Sequence, residues 1–127
     1  MAKRGKYYNK KVEKDGIKFD SVKELHRYCE LKIMEQAGQI QCLKLQQPFE
    51  LIPAQYEYFE NYSDKTGKRL KDKRKVVERS CKYVADFVYL DKNGKIVVED
   101  TKGFKTKDYA IKRKLMRYIH GIAIKEI

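Results

Sequence analysis

Apolar residues recur along this chain with two different periods, and the switches between them mark its elements. Val22, Leu25, Cys29 and Ile33 follow one another at helical spacing until Gly38, and Ser21-Val22-Lys23-Glu24 ahead of them has the S-x-x-E form of a capping box. The pattern predicts a first helix over residues 21–37. From Ile40 to Ile52 the spacing changes to two or four, through Leu43, Leu45, Phe49 and Leu51, which predicts a strand that Pro53 ends. Lys82 to Leu90 and Lys95 to Lys102 are two more strands, rich in Val, Tyr and Phe and joined by the turn signal Asp91-Lys92-Asn93-Gly94. Thr106 caps a second helix over residues 107–120, with Ile111, Leu115, Tyr118 and Ile119 as its apolar stripe and Gly121 as its stop. Ile122-Ala123-Ile124 reads as a last short strand. The order is αβββαβ.

Two segments have neither period. Residues 1–12 are basic and polar with Tyr7 and Tyr8 interleaved, which predicts a flexible arm. Residues 54–79 begin with Tyr56, Tyr58 and Tyr62, turn at Asp64-Lys65-Thr66-Gly67, and return through Lys68, Arg69, Lys71, Lys73, Arg74 and Lys75. Too few apolar side chains lie there to bury, so the segment reads as an inserted, projecting hairpin or loop. The 127 residues suffice for one domain built on one core.

Thirty Lys and Arg against eighteen Asp and Glu leave a formal charge of +12, which calls for a polyanionic partner, nucleic acid or an anionic membrane. No apolar run of about 18 residues exists, and nothing apolar follows Met1-Ala2-Lys3-Arg4-Gly5-Lys6, so neither a spanning helix nor a secretory signal is expected. The basic residues are not backed by an exposed apolar helix face, which disfavours a membrane surface. The expectation is a cytoplasmic protein that binds DNA. Cys29, Cys42 and Cys81 are odd in number and widely spaced, and read as reduced, mostly buried thiols. His26 and His120 lack acidic partners at ligand spacing and read as surface or packing residues.

The hairpin around Asn93-Gly94 decides whether a site exists, because its turn type sets which side chains share a face. A two-residue Asn93-Gly94 loop would put Asp86 opposite Thr101 and on a face with Glu99. A three-residue Lys92-Asn93-Gly94 loop, with Gly94 in a left-handed bulge, puts Asp86 opposite Asp100 instead. The second register is preferred, because it keeps Val84, Val88 and Val98 together on one buried face with Asp86, Asp100 and Lys102. Two carboxylates about 5 Å apart at their Cβ atoms repel unless a proton or cation lies between them. Oxygen ligands without His or Cys favour Mg²⁺, with Mn²⁺ as a substitute, and Lys102 on the same face would stabilise developing phosphate charge.

Tyr83-Val84-Ala85-Asp86 followed by Val97-Val98-Glu99-Asp100-Thr101-Lys102 resembles the PD-(D/E)xK nuclease signature, with Ala85 in the proline's place and Asp100 in place of the more frequent Glu. The resemblance implies a restriction-endonuclease-like α/β fold, an αβββαβ core with a central mixed sheet, and catalysis by Asp86, Asp100 and Lys102. Holliday junction resolvases and related nucleases of that superfamily carry a further glutamate on the first helix, which implies the same role for Glu24 as catalytic residue and metal ligand with Asp86 and Asp100. Glu24 also fits a helix cap. Many relatives have a glutamine on the next strand, near Gln46 and Gln47. Lys6-Tyr7-Tyr8-Asn9-Lys10-Lys11, the stretch from Asp15 to Ser21, and Asp100-Thr101-Lys102-Gly103-Phe104 are similar to an uncharacterised family of small phage and prophage proteins.

The expectation assembled from these readings is an Mg²⁺-dependent endonuclease in phage DNA metabolism, selective for branched DNA and acting as a homodimer without a small-molecule cofactor. Lys68, Arg69, Lys73 and Arg74 of the insertion would grip phosphates. Lys105, Lys107, Lys112 and Arg113, opposed only by Asp108, would do the same beside the second helix. The competing reading is a DNA-binding accessory protein on a nuclease fold that no longer cuts.

Overall fold

Ser21 ends an extended entry and starts the first helix, because its hydroxyl accepts the Glu24 N–H at 3.1 Å. The computed structural model describes residues 11–101 and 105–127. Its elements are β1 (Val12–Lys14), β2 (Ile17–Phe19), α1 (Val22–Gln36), β3 (Gln41–Ile52), β4 (Gln55–Tyr62), β5 (Arg69–Glu78), β6 (Cys81–Leu90), β7 (Ile96–Asp100), α2 (Lys107–His120) and β8 (Lys125–Glu126). The result is a mixed α/β protein. Its central sheet has the order β3-β6-β7-β8, antiparallel except for the parallel β7–β8 pair.

One helix covers each face of that sheet. Tyr28 and Leu31 of α1 are buried with Phe19, Ile40, Phe87 and Tyr89, and Val97 packs against them. Tyr109 and Met116 of α2 are buried with Leu51, Tyr83, Ala85 and Val98. Val97 and Val98 are neighbours on β7, so the two clusters lie on opposite faces. Burial on both faces leaves β6 with Tyr83, Ala85, Phe87 and Tyr89 all buried, while Val84, expected inside, is exposed.

The hairpin between β6 and β7 takes the bulged form. Val88 pairs Val98 and Leu90 pairs Ile96, Gly94 N–H donates to the Asp91 carbonyl at 3.0 Å, and Gly94 sits at φ 77°. A left-handed residue at that position is what lets a type I turn match the twist of the strands.

Other expectations shift. Val22 and Ile33 are exposed, and α1 turns Tyr28, Leu31 and Glu24 inward in their place. On α2 the inward residues are Tyr109 and Met116, whereas Ile111, Tyr118 and Ile119 face out. Leu25 and Cys29 of α1 and Leu115 of α2 stay partly buried at the edges of these contacts, whose centres Tyr28, Leu31, Tyr109 and Met116 fill. The last strand is Lys125–Glu126, with Ile122 and Ile124 packed toward α2 instead of paired. Cys42 is exposed, and Cys29 and Cys81 are only half-buried. Val12 belongs to β1, so the arm cannot extend to residue 12, and residues 1–10 lie outside the described residues. The β1–β2 turn places Asp15 at φ 54° and Gly16 at φ 76°, the geometry that an Asp-Gly pair favours.

Candidate functional site

The pleat of the sheet inverts at one point, and the candidate site forms there. Leu43 and Leu45 of β3 pack toward α1, whereas Phe49 and Leu51 pack toward α2. On β6, Phe87 and Tyr89 face α1, and Tyr83 and Ala85 face α2. Residues two apart should share a face, so both strands change sides between these groups. Leu45 pairs with Phe87 and Gln47 pairs with Ala85, which leaves Gln46 and Asp86 facing each other at the inversion. Gln46 is held at φ 49°, a left-handed conformation costing a non-glycine residue roughly 1–2 kcal/mol.

The inversion turns Asp86 toward α1. Gln46 Nε2 donates to Glu24 Oε1 at 3.0 Å and to Asp86 Oδ1 at 3.2 Å, so one amide bridges two carboxyl groups. Asp86 Oδ2 accepts the Thr101 N–H at 2.9 Å and the Thr101 hydroxyl at 2.8 Å. Glu24 is buried, Asp86 half-buried and Gln46 exposed, so the site is closed behind Glu24 and open at Gln46. Glu24 Oε2 also accepts the Asp20 N–H at 3.3 Å, so the same side chain serves the helix start and the site.

Burial, and after it the charge of Asp86, push the Glu24 carboxyl up to about 7, against weaker opposing bonds from Asp20 N–H and Gln46. Native protein therefore keeps a proton that the unfolded chain has released. The stabilisation is complete below about pH 4.5 and is lost as pH rises through about 7. At about 1.4 kcal/mol per unit, the span is worth on the order of 3 kcal/mol. Glu24→Gln should abolish this part of the pH dependence. Urea midpoints of the two proteins should lie close together at pH 5, where Glu24 keeps its proton, and separate toward pH 8, because wild type loses stability as Glu24 ionises and Glu24→Gln does not. A constant gap would mean that Glu24 titrates like an exposed carboxyl.

Asp100 goes the other way. It is buried on the α2 side, where the Tyr83 hydroxyl donates to its Oδ2 at 2.6 Å. Burial and that acceptor raise the Tyr83 phenol strongly. The expected register is present, but Asp86 and Asp100 do not share a face, because the expectation assumed unbroken alternation through Asp86.

Glu99, fully buried, faces α1, where Arg27 donates from Nε to Oε1 at 2.7 Å and from Nη2 to Oε2 at 2.8 Å. The Tyr89 hydroxyl completes the shell. Burial alone would raise Glu99, but Arg27 and Tyr89 together hold it below the usual carboxylate range. Burial and that carboxylate push the Tyr89 phenol up to about 12. Glu24 and Arg27, one helical turn apart, thus tie α1 to β3 through Gln46 and to β7 through Glu99.

Of the two glutamines, Gln46 meets the site and Gln47 pairs in the ladder with Ala85. Lys102 lies outside the described residues. Among the described residues, no group of three or more His, Cys, Asp or Glu side chains is arranged to hold a metal ion. Glu24 and Asp86 supply hard oxygen donors, and their excess negative charge suits a cation in kind; Mg²⁺ often takes one or two carboxylates and completes its shell with water and phosphate.

The basic residues divide. Lys105 pairs with Glu126, and Arg113 lies 3.5 Å from the same carboxylate, so Asp108 is not the sole counter-charge beside α2. Lys68, Arg69, Lys73 and Arg74 stand exposed on and just before β5. Sequence reasoning passed over Arg27, Tyr83, Tyr89 and Thr101. The only signal for them was proximity: Tyr83 and Thr101 lie within the acidic motif, and Arg27 follows Glu24 by three residues on one helix.

A two-helix, mixed-sheet protein with paired acids at a pleat inversion is thus the class in hand. The chain belongs to the family described as "Protein of unknown function (DUF1064)", whose model matches residues 4–124. No curated protein and no solved structure matches it. No described helix is long and apolar enough to cross a membrane.

Proposed function

We propose that this protein is a metal-dependent DNA endonuclease of the PD-(D/E)xK type, on a restriction-endonuclease-like core formed by α1, β3, β6, β7, α2 and β8. The observation that carries the reading is the Glu24–Gln46–Asp86 cluster. Two carboxyl groups share one amide donor at a strained backbone position, next to solvent and on a protein of charge +12. Structural ion pairing does not account for such a cluster, since no cation is among the partners of Asp86 in these bonds.

Glu24 and Asp86 would hold Mg²⁺ or Mn²⁺, which when bound supplies polarisation of a phosphate oxygen and acidification of water. Gln46 keeps the two acids apart and aligned. Thr101 orients Asp86 through two hydrogen bonds to a single oxygen, leaving Oδ1 toward Gln46 and solvent. Lys102 is the residue that the signature assigns to charge stabilisation at the phosphate. The exposed cations of β5 and of α2 hold the backbone without reading bases, so selectivity is for DNA shape. Branched DNA in phage metabolism is the substrate class. Symmetric cutting of two strands requires a homodimer.

Incubation with four-way junctions, forks, nicked and linear duplexes in Mg²⁺ tests the reading. Cleavage of branched forms over linear duplex is expected. A protein that cuts none of them, and whose melting temperature ignores Mn²⁺ at pH 8, does not have this activity. One observation favours a second reading, DNA binding without cleavage: Asp100, an acid of the signature, is turned to Tyr83 and away from Glu24 and Asp86.

A further inference from the structure

The insertion between β3 and β6 is a two-stranded ribbon that joins no other sheet among the described residues. Its strands pair Tyr56 with Val76, Tyr58 with Arg74 and Tyr62 with Arg69. Both register shifts place the extra residue on β5, so alternation along β4 is unbroken. Tyr56, Tyr58 and Tyr62 therefore share one face with Glu60, whose carboxylate accepts the Tyr62 hydroxyl at 2.7 Å, and the two arginines stand across from the second and third tyrosines. The Arg74 guanidinium lies 4.4 Å from the Tyr56 ring centroid, and the Tyr56 and Tyr58 rings are 6.4 Å apart. The opposite face carries Phe59 with Lys73 and Lys75.

Such a face is costly to leave in water. Tyr58 is 64% exposed and Tyr62 49%, on strands with no hydrophobic core beneath them. Arginines and planar phenol rings on one ribbon face, with lysines on the other, match a nucleic-acid strand that offers bases on one side and phosphates on the other. Tyr62 lies four residues beyond Tyr58, about 13.6 Å along the strand, whereas Tyr56 and Tyr58 are alternate residues about 6.8 Å apart. That is twice the ~3.4 Å rise between stacked nucleotides, so bases can meet successive tyrosines only when they are unstacked from each other. Paired bases inside a duplex present no free ring face. The ribbon root, where Ile52 pairs Cys81, lies six residues along β3 from Gln46, or about 20 Å.

We propose that the Tyr56–Tyr58–Tyr62 face of the ribbon binds unpaired nucleotides by stacking, which makes DNA with a single-stranded segment the preferred ligand. The proposal rests on the DNA-binding part of the reading above and not on cleavage. The test is therefore made without divalent metal, by fluorescence anisotropy on full-length protein with oligothymidylate of about 20 nucleotides, a forked duplex and a blunt duplex.

Tyr58→Ala and Tyr62→Ala should each weaken oligothymidylate and fork binding about tenfold or more, leaving blunt duplex within twofold. Tyr58→Phe should bind like wild type, because the ring and not the hydroxyl stacks. A Lys73→Ala/Lys75→Ala double variant should weaken all three probes together and reduce the salt dependence by about two contacts. Unchanged oligothymidylate binding in Tyr58→Ala overturns the proposal, as does equal loss on blunt duplex or failure of Tyr58→Phe to rescue. Loss of self-association in Tyr58→Ala, seen by sedimentation without a change in DNA binding, identifies the face as a protein contact and also overturns it. Wild type that binds oligothymidylate but cuts no DNA refutes the nuclease and leaves the stacking face standing.

Discussion

Cleavage should fall by about two to three orders of magnitude when Asp86 is replaced by asparagine, the size of loss seen when one electrostatic group is removed from a phosphate or oxyanion site. The substitution removes the charge at the one residue that touches both halves of the site, Gln46 through Oδ1 and Thr101 through Oδ2. It also leaves an amide N–H₂ facing either the Gln46 amide or the Thr101 N–H. Two donors in contact cost about 1–3 kcal/mol, so a moderate stability loss accompanies the kinetic one. Urea denaturation separates the two effects, since a folded Asp86→Asn protein at saturating substrate reports chemistry alone. Calorimetric Mn²⁺ binding should disappear with the charge. Undiminished cleavage by folded Asp86→Asn would remove Asp86 from the mechanism and the nuclease reading with it.

The largest stability change is expected at Arg27. Glu99 is fully buried, and its charge is compensated by the two Arg27 bonds and the Tyr89 hydroxyl. Arg27→Met should destabilise the fold by about 3–5 kcal/mol, because an ionised carboxylate then stays buried without its cation. Against a total of about 5–15 kcal/mol for a domain this size, that is enough to unfold part of the population at growth temperature. Adding Glu99→Leu should recover most of the loss, since an apolar pair of similar volume avoids the desolvation of two charges. The sign with pH follows from Glu99, which is held below its ordinary range: its contribution is present at neutral pH and is lost as pH falls through the depressed value. Arg27→Met should lack this acid-sensitive part. A loss below about 1 kcal/mol would mean that Glu99 ionises elsewhere or that water replaces the guanidinium.

Much of this was readable in the chain. Ser21 and Thr106 cap their helices as their side chains predict, and Gly121 closes α2 at φ 68°. Asn93-Gly94 chose the bulged turn, and the inserted segment is a hairpin because its apolar residues were too few to bury. These are local matters, settled by backbone conformation and by hydrogen bonds within a few residues. The β1–β2 hairpin is equally local: Asp15-Gly16 is its turn signal, and Val12, Ile17 and Phe19 pack into the α1 cluster.

The composition of the site was legible and its arrangement was not. Glu24, and Gln46 or Gln47, were candidates through the resemblance to nucleases and Asp86 through turn register and motif, but period two places Asp86 with Val88, Val98 and Asp100. The sequence by itself determined the order of the elements from α1 to α2, the turn register and that Asp86 and Asp100 lie on the paired strands β6 and β7. Only the tertiary structure decided that the pleat inverts at Gln46 and Asp86, that Asp86 faces α1 while Asp100 faces Tyr83, and that Glu99 meets Arg27. The reason is physical: with a helix on each face, β6 buries Tyr83 and Ala85 toward α2 but Phe87 and Tyr89 toward α1, so one unbroken polar and apolar alternation in the sequence spans two opposite faces. A left-handed residue such as Gln46 has no mark in its own side chain and is imposed by what packs around it.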